Sequence, residues 1–175
     1  MAVFGFPNPV NEKAARVVAG FVLAIATLTI LLGVTASNRW FWLTAVLFAG
    51  FVARVLSGPT LSPLGQLATR VIAPRLGEPT LVAGPPKRFA QAVGALFTGM
   101  GTVFVALGWY GAAIVMLAAI VGAAGLESIV GYCVGCKMFA IGMRAGWVPE
   151  QTSAACADIS QRIADTRASS GTLAG

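Results

Sequence analysis

Four long stretches of this chain carry almost no charge, and they limit what it can fold into more than any other feature. Residues 17–34 hold no charged side chain, residues 40–56 only Arg54, residues 89–110 none, and residues 111–130 only Glu127. About 20 mostly apolar residues in a helix cross the hydrocarbon core of a bilayer. In lipid every backbone N–H and C=O must find its partner inside the segment, so runs of this kind fold as helices. The sequence therefore predicts an all-α fold, an integral membrane bundle of four transmembrane helices. Composition agrees. Hydrophobic residues make up 57% of the chain and charged residues 10%, against roughly 25% charged in soluble domains. So few charges cannot keep a soluble domain of this size wetted.

The connections between the runs are unequal. Residues 35–39 join the first pair and residues 108–111 the second, so each pair reads as a helical hairpin of antiparallel neighbours. Between the hairpins, residues 58–88 are more polar. Ser62-Pro63 suits a helix start. Leu64, Leu67, Val71 and Ile72 then share one face until Pro74, which predicts a short amphipathic cytoplasmic helix on the membrane surface. An ordered loop is the competing reading. Residues 1–147 form the transmembrane domain in this reading, and residues 148–175 a cytoplasmic tail, partly disordered, with a short helix over 156–167.

The net charge of +6 is distributed as a topology signal. Lys13 and Arg16 precede the first run, Arg70, Arg75, Lys87 and Arg88 separate the hairpins, and Lys137, Arg144, Arg162 and Arg167 follow the last run. The other side has only Arg39. By the excess of Lys and Arg on cytoplasmic loops, the chain is a multi-pass protein of the plasma (inner) membrane with both termini cytoplasmic. Trp40, Trp42, Trp109 and Tyr110 then fall in the outer interfacial belt. The first run with Val34-Thr35-Ala36 also resembles a secretory signal. Its length, and the odd number of spans that cleavage would leave, favour a retained helix. No basic helix or aromatic-basic patch points to nucleic acid. The chain has no His, which removes the usual general base and the commonest transition-metal ligand.

Tyr132-Cys133-Val134-Gly135-Cys136-Lys137 follows the last run. Two thiols at this spacing suit a strained, exchangeable disulfide, a soft metal ion such as Cu(I) or Zn(II), or a persulfide resolved by the second sulfur. A helix starting near Cys136, with Lys137 beside it, would lower a thiol pKa. A permanent structural disulfide is unexpected on the cytoplasmic side. The competing structural reading makes both cysteines small apolar fillers, with Gly131 and Gly135 for close packing. A metal site on Cys133 and Cys136 needs two further ligands, and Cys156 is the only other thiol. Arg54 and Glu127 are charges inside spans, at similar depth near the cytoplasmic ends of their runs. Such charges usually face the bundle interior in pairs, so the two are expected to meet and to support the cysteines electrostatically. Snorkelling to the headgroups is the alternative for Arg54. Ala118, Ala119, Gly122 and Ala123 offer a close packing face for another helix, and a homo-oligomer is left open.

Several pieces together carry a family resemblance. They are Pro7-Asn8-Pro9-Val10-Asn11, Arg54 with Gly58-Pro59 and Ser62-Pro63, Pro85-Pro86-Lys87-Arg88-Phe89-Ala90-Gln91, and the late Cys133-Val134-Gly135-Cys136. This ordered set resembles DUF4395, a family of bacterial integral membrane proteins common in actinobacteria, over residues 7–145. The resemblance brings no established activity. It implies thiol or sulfur handling at the membrane, with a thioredoxin-like or sulfurtransferase protein as soluble partner. The leading expectation is a membrane-embedded thiol–disulfide or sulfur-relay protein using Cys133 and Cys136 as the exchanging pair. A soft-metal-ion binding or transport subunit and a non-catalytic membrane scaffold are the alternatives. The sequence names no cofactor.

Overall fold

The computed structural model describes residues 8–59 and 62–146. Helix α1 spans Glu12–Thr35. A 3₁₀ turn, Asn38–Trp42, leads into α2, Leu43–Ser57. A short α3, Pro63–Leu67, continues as a wide π turn, Ala68–Ile72, and a 3₁₀ turn, Ala73–Leu76. Helix α4 spans Gly84–Ala106, and α5, Tyr110–Gly125, runs on as a π segment, Leu126–Val130. Helix α6, Val134–Arg144, closes the described chain. The chain is thus an all-α membrane protein, with four helical segments of 24, 20, 23 and 21 residues long and apolar enough to cross a bilayer. Large apolar side chains such as Leu31, Val46, Leu96, Val103, Val115 and Ile129 are exposed around them, as a lipid-facing surface requires. The tail proposed for residues 148–175, with Cys156, lies outside the described residues.

The hairpins interlock instead of standing side by side. Helix α4 packs against α2, α5 and α6, while α1 packs mainly on α5. Small residues and polar side chains bonded within their own helix allow the close approach. Thr29, Thr98 and Ser57 are fully or almost fully buried, and each hydroxyl donates to a carbonyl four residues back, in Ile25, Gly94 and Ala53. Phe41 stacks on Tyr110 at 5.5 Å between centroids and seals the end where Trp40, Trp42 and Trp109 are exposed.

The opposite end gathers the basic residues and is tied by the N-terminal segment. Val10–Asn11 (β1) and Leu81–Val82 (β2) form a two-residue antiparallel ladder, Val10 facing Val82, a feature the apolar pattern did not announce. Asn11 caps α1 by accepting from the Lys13 N–H at 3.0 Å, and Asn8 Oδ1 accepts from the Gly84 N–H at 2.9 Å at the start of α4. The two asparagines of the N-terminal motif therefore cap two different helices. Ser62 caps α3 as its sequence predicts, accepting from the Gly65 N–H at 3.3 Å. The face that α3 and its continuation turn inward is nevertheless small: Gly65, Ala68 and Ala73 are buried, whereas Leu67, Val71 and Leu76 are exposed. Close packing against α1 selects the small residues and leaves the larger apolar ones at the surface.

Candidate functional site

The cysteine segment is built by a sharp reversal after α5. Its π segment ends at Gly131, in the left-handed region at φ 76°, a conformation glycine adopts without steric cost. A side chain there would also press on the Arg16 guanidinium, 3.0 Å from the position of a Cβ. Arg16 uses that position to donate to the Ile129 carbonyl at 3.2 Å, one of the groups a helix end leaves unpaired. The chain then enters α6 with Cys133 as its N-cap, and Cys133 Sγ accepts from the Cys136 N–H at 3.4 Å. Gly135 lets this first turn press against α4, because a Cβ there would sit 2.6 Å from Ala90 Cα.

The two thiols are unequal. Cys133 is buried and Cys136 half-buried. Hydrogen bonding from the Cys136 thiol holds Cys133 below the ordinary thiol range, and the Lys87 cation helps, against opposition from burial and Glu127. The same hydrogen bond, with burial, pushes Cys136 up. Of the two, Cys133 is the thiol favoured to ionise and Cys136 the one favoured to keep its proton. The sequence expectation placed the helix start at Cys136 with Lys137 as the cation. The helix begins two residues earlier, at Val134 with Cys133 as its cap, and Lys137 Nζ lies instead 5.7 Å from the centre of the Tyr132 ring.

The buried ion pair also differs from the one expected. Glu127 Oε1 is 2.7 Å from Lys87 Nζ, with side-chain exposures of 16% and 8%, so Glu127 pairs with Lys87 and not with Arg54. Lys87 reads in the sequence as a loop charge. Pro85 and Pro86 suit a first helical turn, so α4 starts at Gly84 and carries Lys87 inward. Those prolines were the available signal. Helix α4 lies against both α2 and α5 and supplies the nearer cation.

Arg54 does not snorkel. It is 4% exposed, its guanidinium sits 4.5 Å from the centre of the Phe51 ring, and its Nε and Nη1 have no hydrogen-bond partner. Arg54, Glu127 and Cys133 are brought to the wall of one cavity of about 290 Å³ between α1, α2, α4, α5 and α6. Gln91, unremarked in the sequence as a site residue, lines it too, with its Oε1 buried and unpaired. The remaining wall is mostly apolar, including Val18, Val22, Phe97 and Ile120. Among the described residues no three His, Cys, Asp or Glu side chains converge. A metal ion on the two thiols would need donors from elsewhere.

A family model described as "Domain of unknown function (DUF4395)" matches residues 10–144. Comparison with curated proteins and with solved structures returned no match. The matched span begins at the β1 strand that ties the helix starts and ends at the last residue of α6. It therefore takes in the whole bundle, the buried Lys87–Glu127 pair and the cysteine cap, and on that match the chain belongs to the DUF4395 family.

Proposed function

We propose that this membrane protein is a thiol–disulfide or sulfur-relay protein, in which Cys133 is the nucleophile and Cys136 the resolving thiol. The observation that carries this reading is the Cys133 cap: its sulfur accepts from the Cys136 N–H at the start of α6, where the Cys136 thiol and the buried Lys87 cation both favour its ionised form. Thiolates, not thiols, attack sulfur. A sulfur that is stabilised as an anion, with a second thiol already in contact, is arranged for attack followed by closure of a disulfide. The purely structural reading accounts for Gly135 but not for the unequal pair. By the distribution of Lys and Arg, the cysteine end faces the cytoplasm of the plasma membrane, where a soluble thioredoxin-like or sulfurtransferase protein exchanges with it.

Equilibration in glutathione buffers of graded potential, followed by alkylation with a mass-tagged maleimide, tests the pair. Cys133 and Cys136 should become protected together in one two-electron transition that either Cys→Ser substitution abolishes. Cys156 is the internal control and should label independently. Two thiols that stay alkylatable in the most oxidising buffer overturn the proposal.

A further inference from the structure

Oxidising the thiol pair releases two electrons, and the cavity beside it has the chemistry of a receptor for them. We propose that the cavity lined by Arg54, Gln91 and Cys133 is a quinone head-group site, and that a membrane quinone bound there oxidises the pair. The acceptor role rests on the thiol–disulfide reading; the binding site does not.

The polar wall is unsatisfied in a specific way. Arg54 offers two buried donors without partners, and Gln91 one buried acceptor without a partner, in the same cavity. Leaving such groups unpaired is costly. A quinone carbonyl accepts from the guanidinium, and the hydroxyl it becomes on reduction can also donate to the Gln91 oxygen. A quinone head group thus complements both the donors and the acceptor across its redox cycle. The apolar walls at Val18, Val22, Phe97 and Ile120 suit a ring; an inorganic anion would leave them unused, and an acyl chain would leave the donors unused. About 290 Å³ is near the lower end of the roughly 300–1,000 Å³ of small-molecule sites, enough for a head group and not for a whole lipid. Ala119 and Met138 on the rim are exposed, which gives a bilayer-dissolved ligand access from the side.

The step balances. The Cys136 S–H bond breaks and an S–S bond forms between Cys133 and Cys136. Two electrons pass to the quinone, and its two C=O groups become C–OH. One proton comes from the Cys136 thiol. The second comes from solvent by way of Glu127, which is partly exposed and shares the cavity wall.

Binding is measured first in the Cys133→Ser/Cys136→Ser double variant, with decylubiquinone as probe, so that it is independent of redox chemistry. Saturable binding of one probe per chain is expected. Arg54→Leu in that background should weaken it about tenfold or more, and Gln91→Leu should weaken decylubiquinol more than decylubiquinone. Both changes put an apolar side chain of similar volume where buried polar atoms lack hydrogen-bond partners, so the bundle should tolerate them. The reduced protein with native cysteines should then bleach one decylubiquinone per pair, at a rate that Arg54→Leu depresses. Absence of saturable binding, or undiminished binding by Arg54→Leu, overturns the site and leaves the glutathione titration standing. Binding without bleaching, in protein whose pair does titrate with glutathione, overturns the acceptor role. A pair that fails to titrate while the double variant still binds the probe sinks the thiol reading and upholds the site.

Discussion

Cys133 draws its acidity from neighbours on two helices, Cys136 in its own turn and Lys87 on α4. Because its pKa is lowered, the thiolate persists at a pH where an ordinary thiol is protonated. Iodoacetamide should therefore modify Cys133, followed by peptide mapping, at lower pH than a free cysteine. Cys136→Ala should move that inflection upward by removing the largest stabilising contact; an unmoved inflection would show that the second thiol does not tune the first. The buried ion pair makes a separate demand. Glu127→Leu alone leaves a lysine unpaired and should cost about 3–5 kcal/mol, seen as a lower midpoint of thermal unfolding in detergent. Adding Lys87→Met should recover much of that loss. Strict additivity of the two losses would rule the pair out as partners.

Helix α6 owes its position to one missing side chain. A Cβ at Gly135 would meet both Cα and Cβ of Ala90 at 2.6 Å, so Gly135→Ala should overpack the contact at a cost of about 1–3 kcal/mol. Ala90→Gly should restore only part, because the backbone clash with Ala90 Cα remains. Full stability in Gly135→Ala would mean that α6 docks less closely than described. The spans themselves were legible because lipid imposes a long, uninterrupted apolar run, and residues 17–34 and 111–130 fall inside helical segments of the structure. What depends on contact between helices was not legible. The π segment at Glu127, which breaks the regular register where π turns often mark functional sites, has no signature in a uniformly apolar run. Lys87 is hidden because its charge matches a loop, although Pro85 and Pro86 beside it suit a first helical turn. Arg54 and Glu127 line one cavity, yet their similar positions along two runs cannot say that α4 supplies Glu127 with its partner. The cysteine motif does not say that Cys133 caps α6, since that follows from where the helix begins.

On the scale of the whole molecule, one end is aromatic and the other basic. Lys13 donates to the Leu76 carbonyl at 2.8 Å and Arg88 to the Val55 carbonyl at 3.0 Å, so these two basic side chains fasten α1 to the segment between the hairpins and α4 to the end of α2. Reporter fusions after Gly175 and within residues 77–80 should both report the cytoplasm; an external signal from either would reverse the orientation and move the cysteines to the other face. The account's central claim is that the thiol pair and the buried charges behind it work as one unit. Its most direct test is the reduction potential of the Cys133–Cys136 pair, by glutathione titration, in the native chain and in Lys87→Met. Lys87 stabilises the reduced pair through the Cys133 thiolate, so its removal should shift a single two-electron transition to more negative potential, on the order of 30 mV for a tenfold change in the equilibrium. A transition that does not move, or no transition in either protein, would contradict it.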